Sequence, residues 1–148
     1  MSGPAPAATL LQHDEPLVVV RLGVGAEVPA WATSATVYSV TATSTETSLV
    51  CGARGVPRKV RQQGPFIAFS VEGSLDFSLT GVLAALLVPL AEAEVPVFAL
   101  STFDTDWLLV PADRAPAAAE AWRRTGREVR PAGSGPSGAG NASEGERG

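Results

Sequence analysis

Several things are scarce in this chain. It has one cysteine, Cys51, one histidine, His13, and one methionine among 148 residues. A single cysteine excludes an internal disulfide. Cys51 closes an apolar run and is read as a small buried hydrophobe rather than a nucleophile. His13 sits in a proline- and alanine-rich N-terminal stretch, expected to lie off the fold. No Ser–His or Cys–His pair follows, and no metal set of histidine and cysteine, so no cofactor is expected. Positive charge is short too: 11 Lys and Arg stand against 15 Asp and Glu, a net charge of −4. Nucleic-acid binding normally leaves a basic footprint, so that partner is not expected. The most apolar stretch, "LTGVLAALLVPLAEA", is too short to span a bilayer and carries Pro89. The N-terminus "MSGPAPAATLLQHDEP" lacks a basic segment followed by a long apolar one. The expectation is a cytoplasmic protein without membrane contact.

What is present is apolar. Hydrophobic residues make up 45% of the chain, enough to bury a core. Residues 1–15 are rich in Pro and Ala, and 131–148 in Gly, Ser and Pro, so both are expected to be disordered tails. Between them, "LVVVRL" (17–22) reads as a buried strand. "GVGAEVPAWAT" allows at most a turn of helix. "ATVYSVTATSTETSLVC" (35–51) reads as a β-hairpin broken near Thr43–Ser44. "GARGVPRKV" is a turn or short helix, and "GPFIAFSVEG" (64–73) another strand.

The second half is more regular. "SLTGVLAALLVPLAEA" (78–93) is apolar on nearly every face and predicts a largely buried helix. Ser78 is its expected N-cap, and Pro89 should kink it. "VPVFALS" and "TDWLLV" form a second hairpin. "PADRAPAAAEAWRRTG" predicts a second helix, with Pro116 in its first turn, Arg123 and Arg124 in its last, and Gly126 beyond it. "REVRP" closes as a strand. From Pro65 the order is β-α-β-β-α-β, the ferredoxin-like split βαβ.

The two halves resemble each other. Aligning Val37 with Val97, 60 residues on, lays "VYSVTATSTETSLV" on "VFALSTFDTDWLLV" without a gap. Thr45 meets Thr105, Glu46 meets Asp106 and Val50 meets Val110. The reading is an α+β protein of two ferredoxin-like units in tandem, at 16–64 and 65–130, the first with short, degenerate helices.

Asp104 and Asp106 are the residues that ask for a chemical role. Asp104 suits a turn, with its side chain bonding its own backbone. Asp106 shares a strand face with Leu108 and Val110, where a carboxylate needs a partner. Arg21 or Arg61 could supply one internally. Trp107 and Leu109 face the other way; Trp107, Trp31 and Trp122 are read as packing residues. Arg54, Arg58, Lys59 and Arg61 read as a solvated basic face. "LGVGAE" has G-x-G but no later glycine or following helix, so no nucleotide fingerprint is present. A small enzyme would have only the Asp104/Asp106 pair for acid–base work. A structural interaction module with Asp106 in an internal ion pair is the other alternative.

"DFSLTG" at a helix start, "PLAEA" at its end and "STFDTDWLLV" resemble the small bacterial tandem ACT-domain proteins. "RLGVGAEVPAWA" and "YSVTATSTETSLVC" extend the resemblance, which runs from about Leu17 to Val129. These proteins are similar to the ACT repeats of CASTOR-type arginine sensors and, more distantly, to aspartate kinase regulatory domains. The resemblance implies non-catalytic binding of a free amino acid between ACT units, and a homodimer. It implies that Asp106 meets the ligand's cation and that Thr102 and Phe103 offer carbonyls, with Asp104 beside them in the same turn. It implies that the helix start around Gly81, with Ser78, Leu79, Thr80 and Val82, faces the ligand. The sensors carry acidic residues where this chain has Ser78 and Leu79. A helix N-terminus suits a carboxylate and Asp106 suits a cation, which is the charge pattern of an amino acid.

Overall fold

The computed structural model describes residues 8–73 and 80–133. Among the described residues, eight strands, two α-helices and a short 3-10 helix at Ala112–Arg114 follow one another along the chain. The strands are β1 (Leu10–Gln12), β2 (Leu17–Leu22), β3 (Ser39–Ala42), β4 (Thr47–Gly52), β5 (Gln62–Val71), β6 (Phe98–Ser101), β7 (Asp106–Pro111) and β8 (Val129–Pro131). The helices are α1 (Val82–Glu92) and α2 (Ala115–Arg124). All eight strands join one sheet.

β5 organises that sheet. Its first half, Gln62–Phe66, pairs antiparallel with β2; its second, Phe66–Ser70, pairs with β7 on the opposite side. The first unit is therefore β3-β4-β2-β5, and the second continues from the same strand through β7 to β6. Because one ten-residue strand closes the first unit and opens the second, the boundary expected between residues 64 and 65 falls inside β5.

The N-terminal segment departs from its expectation as a tail. Leu10–Gln12 lies between β5, to which it is antiparallel, and β8, to which it is parallel. Leu10 is fully buried. Three residues of "LLQ" have little strand preference of their own. Hydrogen bonding on both sides, to strands far along the chain, holds them extended. Further on, Glu15 accepts hydrogen bonds from Ser34 Oγ (3.0 Å) and Ala35 N (3.2 Å) and so ties down the loop before β3. Burial alone would raise the Glu15 pKa; the donors from Thr36, Ser34 and Ala35 outweigh it and hold the carboxyl below its ordinary value. Residues 1–7 and 134–148 lie outside the described residues.

The helices cover one face of the second unit. Phe69, Leu86, Leu90, Leu108, Val110 and Trp122 form the main core there. Trp122 is fully buried, donates its indole N–H to the Leu86 carbonyl at 2.8 Å and meets Phe69 edge-on at 4.9 Å. α1 starts at Val82, with Gly81 as N-cap at φ 79°, three residues later than the Ser78 cap expected; Ser78 itself lies outside the described residues. Pro89 lies within α1 and is buried. α2 ends as expected in Gly126 at φ 91°, with Gly126 N–H on the Arg123 carbonyl and Arg127 N–H on that of Trp122.

The first unit has no such cover. Residues 23–38 and 53–61, where its degenerate helices were expected, contain turns and bends only. Trp31, Ala53, Val56 and Val60 from these loops cap Val18, Val20, Leu49 and Cys51. Cys51 is fully buried, and burial, with Glu15 nearby, pushes its thiol pKa up, as befits an inert packing residue. On the other face of the sheet, Leu17, Val50, Ala68 and Leu109 make a third cluster, with Phe66, Phe98 and Trp107 packed on it.

Candidate functional site

The hairpin β6–β7 carries the candidate residues Thr102, Phe103, Asp104 and Asp106. Its register pairs Phe98 with Leu109 and Ser101 with Asp106. Its turn is held by Thr102: Thr102 N–H donates to the Thr105 carbonyl at 2.8 Å, and the Thr102 hydroxyl reaches the same carbonyl at 3.2 Å. Asp104, expected to brace this turn, is exposed and makes no side-chain hydrogen bond among the described residues. Threonine replaces it because a hydroxyl at the first turn position can serve both Thr105 groups. Phe103 at the tip is fully exposed. The Thr105 hydroxyl donates to the Val71 carbonyl at 2.9 Å and fixes the tip to the end of β5.

Asp106 opens β7 and shares its helix-side face with Leu108 and Val110, as its alternation required. It is half-buried. Ser101 Oγ donates to its Oδ1 at 2.5 Å, a neutral partner directly across the hairpin. No cation pairs with Asp106 among the described residues: Arg21 goes to Glu46 at 3.8 Å, and the Arg61 guanidinium has no partner there. β5 ends and β7 begins at the same end of the sheet, with Ser70 paired to Trp107, so Asp106 lies at that end. Thr80 and Gly81 are exposed, and among the described residues α1 has no side-chain cap and no acid in its first turn. The first N–H groups of a helix have no partner within the helix itself. Ser78 and Leu79 lie outside the described residues.

The expected equivalence of Glu46 and Asp106 does not hold. Ser39 to Phe98 and Thr47 to Asp106 are both 59 residues apart, and both hairpins pair in that register. The turn bond Thr43 N–H to Glu46 carbonyl answers Thr102 N–H to Thr105 carbonyl. The true counterpart of Asp106 is Thr47, which is buried. Glu46 corresponds to Thr105 and lies on the opposite face. A slip of one residue exchanges the faces of every side chain.

Residue-by-residue reading also missed His13. Its Nε2 is 2.9 Å from Ser70 Oγ, and its ring lies 4.9 Å from that of Trp107 at 32°. Desolvation lowers its pKa, only partly countered by Asp14. Only the pairing of β1, which sets His13 N–H on the Ala68 carbonyl, brings these residues together. Among the described residues no cluster of three or more His, Cys, Asp or Glu could hold a metal ion, and no helix is long and apolar enough to cross a membrane.

Comparison with known proteins agrees with this architecture. The ACT domain family model matches residues 62–124, from the start of β5 to the end of α2. A second model, for the N-terminal domain of a further protein group, matches 16–59. A structural-genomics protein of Agrobacterium tumefaciens is 30% identical with a TM-score of 0.77; the match covers 84% of this chain and 93% of that one. The aspartokinase α and β subunits match at a TM-score of 0.56 and 11% identity, over 80% of this chain and 97% of theirs. The regulatory subunit of aspartate kinase from Thermus flavus matches at 0.53 and 11%, over 80% and 96%. A search of curated protein sequences gives no match. The chain belongs to the ACT-domain proteins, with the fold of aspartate kinase regulatory subunits.

Proposed function

We propose that this protein is a non-catalytic sensor that binds a free amino acid at the Asp106 end of its second unit and passes that state to a partner protein. The observation that carries this reading is the Asp106 carboxylate. It is half-buried on the helix side and met by one neutral hydroxyl, with no cation among the described residues. A carboxylate that faces water with one neutral partner and no counter-charge can take a cation from outside the fold. The start of α1, which has no side-chain cap among the described residues, suits the carboxylate of the same ligand. In this reading Asp106 takes the ligand's ammonium or guanidinium, the carbonyls of Thr102 and Phe103 add to it, and the N–H groups after Gly81 take the carboxylate. Asp104 and Thr80 line the rim, with Ser78, Leu79 and Val82 beside the helix start. The likeness to kinase regulatory subunits supports a regulatory role without chemistry, and the uncovered outer edges of β3 and β6 suit pairing with a second copy.

A thermal-shift screen of the twenty amino acids tests this. A true ligand at a hundredfold excess over Kd stabilises the chain by about 2.7 kcal/mol. Asp106→Asn should abolish that shift and leave the ligand-free protein as stable as before or slightly more so. If no amino acid shifts the transition, the chain is a structural interaction module instead. If Asp106→Asn leaves the shift intact, the site lies elsewhere.

A further inference from the structure

The sheet breaks a rule at one position. Arg21, in β2, donates its backbone N–H to the carbonyl of Arg61 at 3.0 Å, and the ladder beside them pairs Val20 with Gln62. Arg21 and Arg61 are thus cross-strand neighbours, with Cβ atoms about 4.5–5.5 Å apart, and like charges so placed repel. One carboxylate stands near the two guanidiniums. Glu46 reaches Arg21 at 3.8 Å, while Arg21 also donates to the carbonyls of Thr45 (3.1 Å) and Leu22 (3.3 Å). The guanidinium of Arg61 has no partner among the described residues. Arg21 is thus compensated within the fold while Arg61 is not, among the described residues, and a local conflict left half-answered marks a place where something outside the fold is used.

The surroundings define what that is. Arg21 and Arg61 line a cleft of about 330 Å3 together with Glu46, Gln63, Val19 and Phe98. Val19 and Phe98 belong to the apolar cluster on the sheet face away from the helices, so one wall is greasy and the other charged. Two guanidiniums and one carboxylate leave a single net positive charge. A guanidinium binds a carboxylate through two parallel hydrogen bonds, and Arg61 has its donors free for this. A second negative charge on a ligand would meet Glu46. An extended apolar body would lie on Val19 and Phe98.

We propose that this cleft is a second ligand site, for a small monocarboxylate with an apolar body. It is separate from the Asp106 site. It lies on the opposite sheet face, and it uses Phe98, the first residue of β6, whereas Asp106 pairs with Ser101, the last. Arg61 grips the carboxylate, Arg21 adds charge, and Glu46 holds Arg21 in place while turning away dianions.

Titration calorimetry of the full chain with isovalerate tests this, since isovalerate offers Asp106 no cation. Saturable binding is expected, weakened at least tenfold by Arg61→Gln and unchanged by Asp106→Asn. Acetate, which lacks the apolar body, should bind at least tenfold more weakly, and inorganic phosphate should not compete. Arg61→Gln should melt at the same temperature as the parent or higher, because it removes repulsion. Absence of saturable isovalerate binding overturns the proposal, as does binding that Arg61→Gln leaves intact. Phosphate binding in place of isovalerate would make the cleft a simple anion site and overturn it too.

Discussion

The β3–β4 and β6–β7 hairpins have the same strand lengths, the same register and the same threonine-braced turn, yet they present their acids to opposite faces. In the first, Glu46 stands one residue before the strand and lies across the sheet from the loop cover, against Arg21. In the second, Asp106 is the first strand residue and turns to the helix side, where Ser101 is its partner. One position along a strand decides whether a carboxylate finds an arginine of its own chain or is left open. The covers differ as well. Two helices and Trp122 close the second unit, and irregular loops close the first.

The difference in cover sets the largest expected effect. Trp122→Ala should cost about 3–5 kcal/mol in chemical denaturation, because it empties a site between rigid helices and strands the Leu86 carbonyl. Leu10→Ala should follow at about 3 kcal/mol, since Leu10 sits inside the sheet between β5 and β8. A negligible loss there would show that the segment behaves as a tail. Leu49→Ala in the first unit should cost less, about 2 kcal/mol, because loops can settle into the space where helices cannot. A loss equal to that of Trp122→Ala would show the loop cover to be as rigid as the helical one.

A smaller effect concerns pH. His13 has a folded-state pKa below its ordinary 6.5, chiefly through desolvation. The unfolded chain therefore binds the proton more readily, and stability falls as pH drops. The loss should set in as pH falls through the ordinary value and level off below the depressed one. His13→Gln should remove that slope from denaturation curves taken between pH 8 and 5, a window about the pKa of free histidine. The smallest effect falls on the first hairpin. Glu46→Gln breaks an exposed, long ion pair and should change stability by no more than about 1 kcal/mol. It should leave any thermal shift that depends on Asp106 untouched; losing that shift would mean the two hairpins share one site.

Much of this was legible. "LVVVRL", the two hairpins and both helices announced themselves through β-branched runs, helical spacing and Gly126. The likeness of the halves was visible too, but its register was not. Leu49, Val50 and Cys51 are all buried, and so are Leu108, Leu109 and Val110. Strands buried on both faces read as continuous apolar runs, and such runs match equally well at 59 or 60 residues. Pairing the acids therefore drew the alignment one residue off. The turn chemistry of Thr102 was hidden behind Asp104, because either residue type can brace a turn.

The sequence by itself determined the class of fold, the places of the long strands and helices, and the strand face that Asp106 shares with Leu108 and Val110. Those depend on periodicity and short-range preference, which each segment carries within itself. Tertiary structure alone decided that Leu10–Gln12 is a strand, that His13 meets Ser70 and Trp107, that β5 serves both units, and that Arg21 stands beside Arg61 over Phe98. Each of these joins residues that gain their geometry only from partners distant in the chain. No local pattern encodes which strand will lie alongside which.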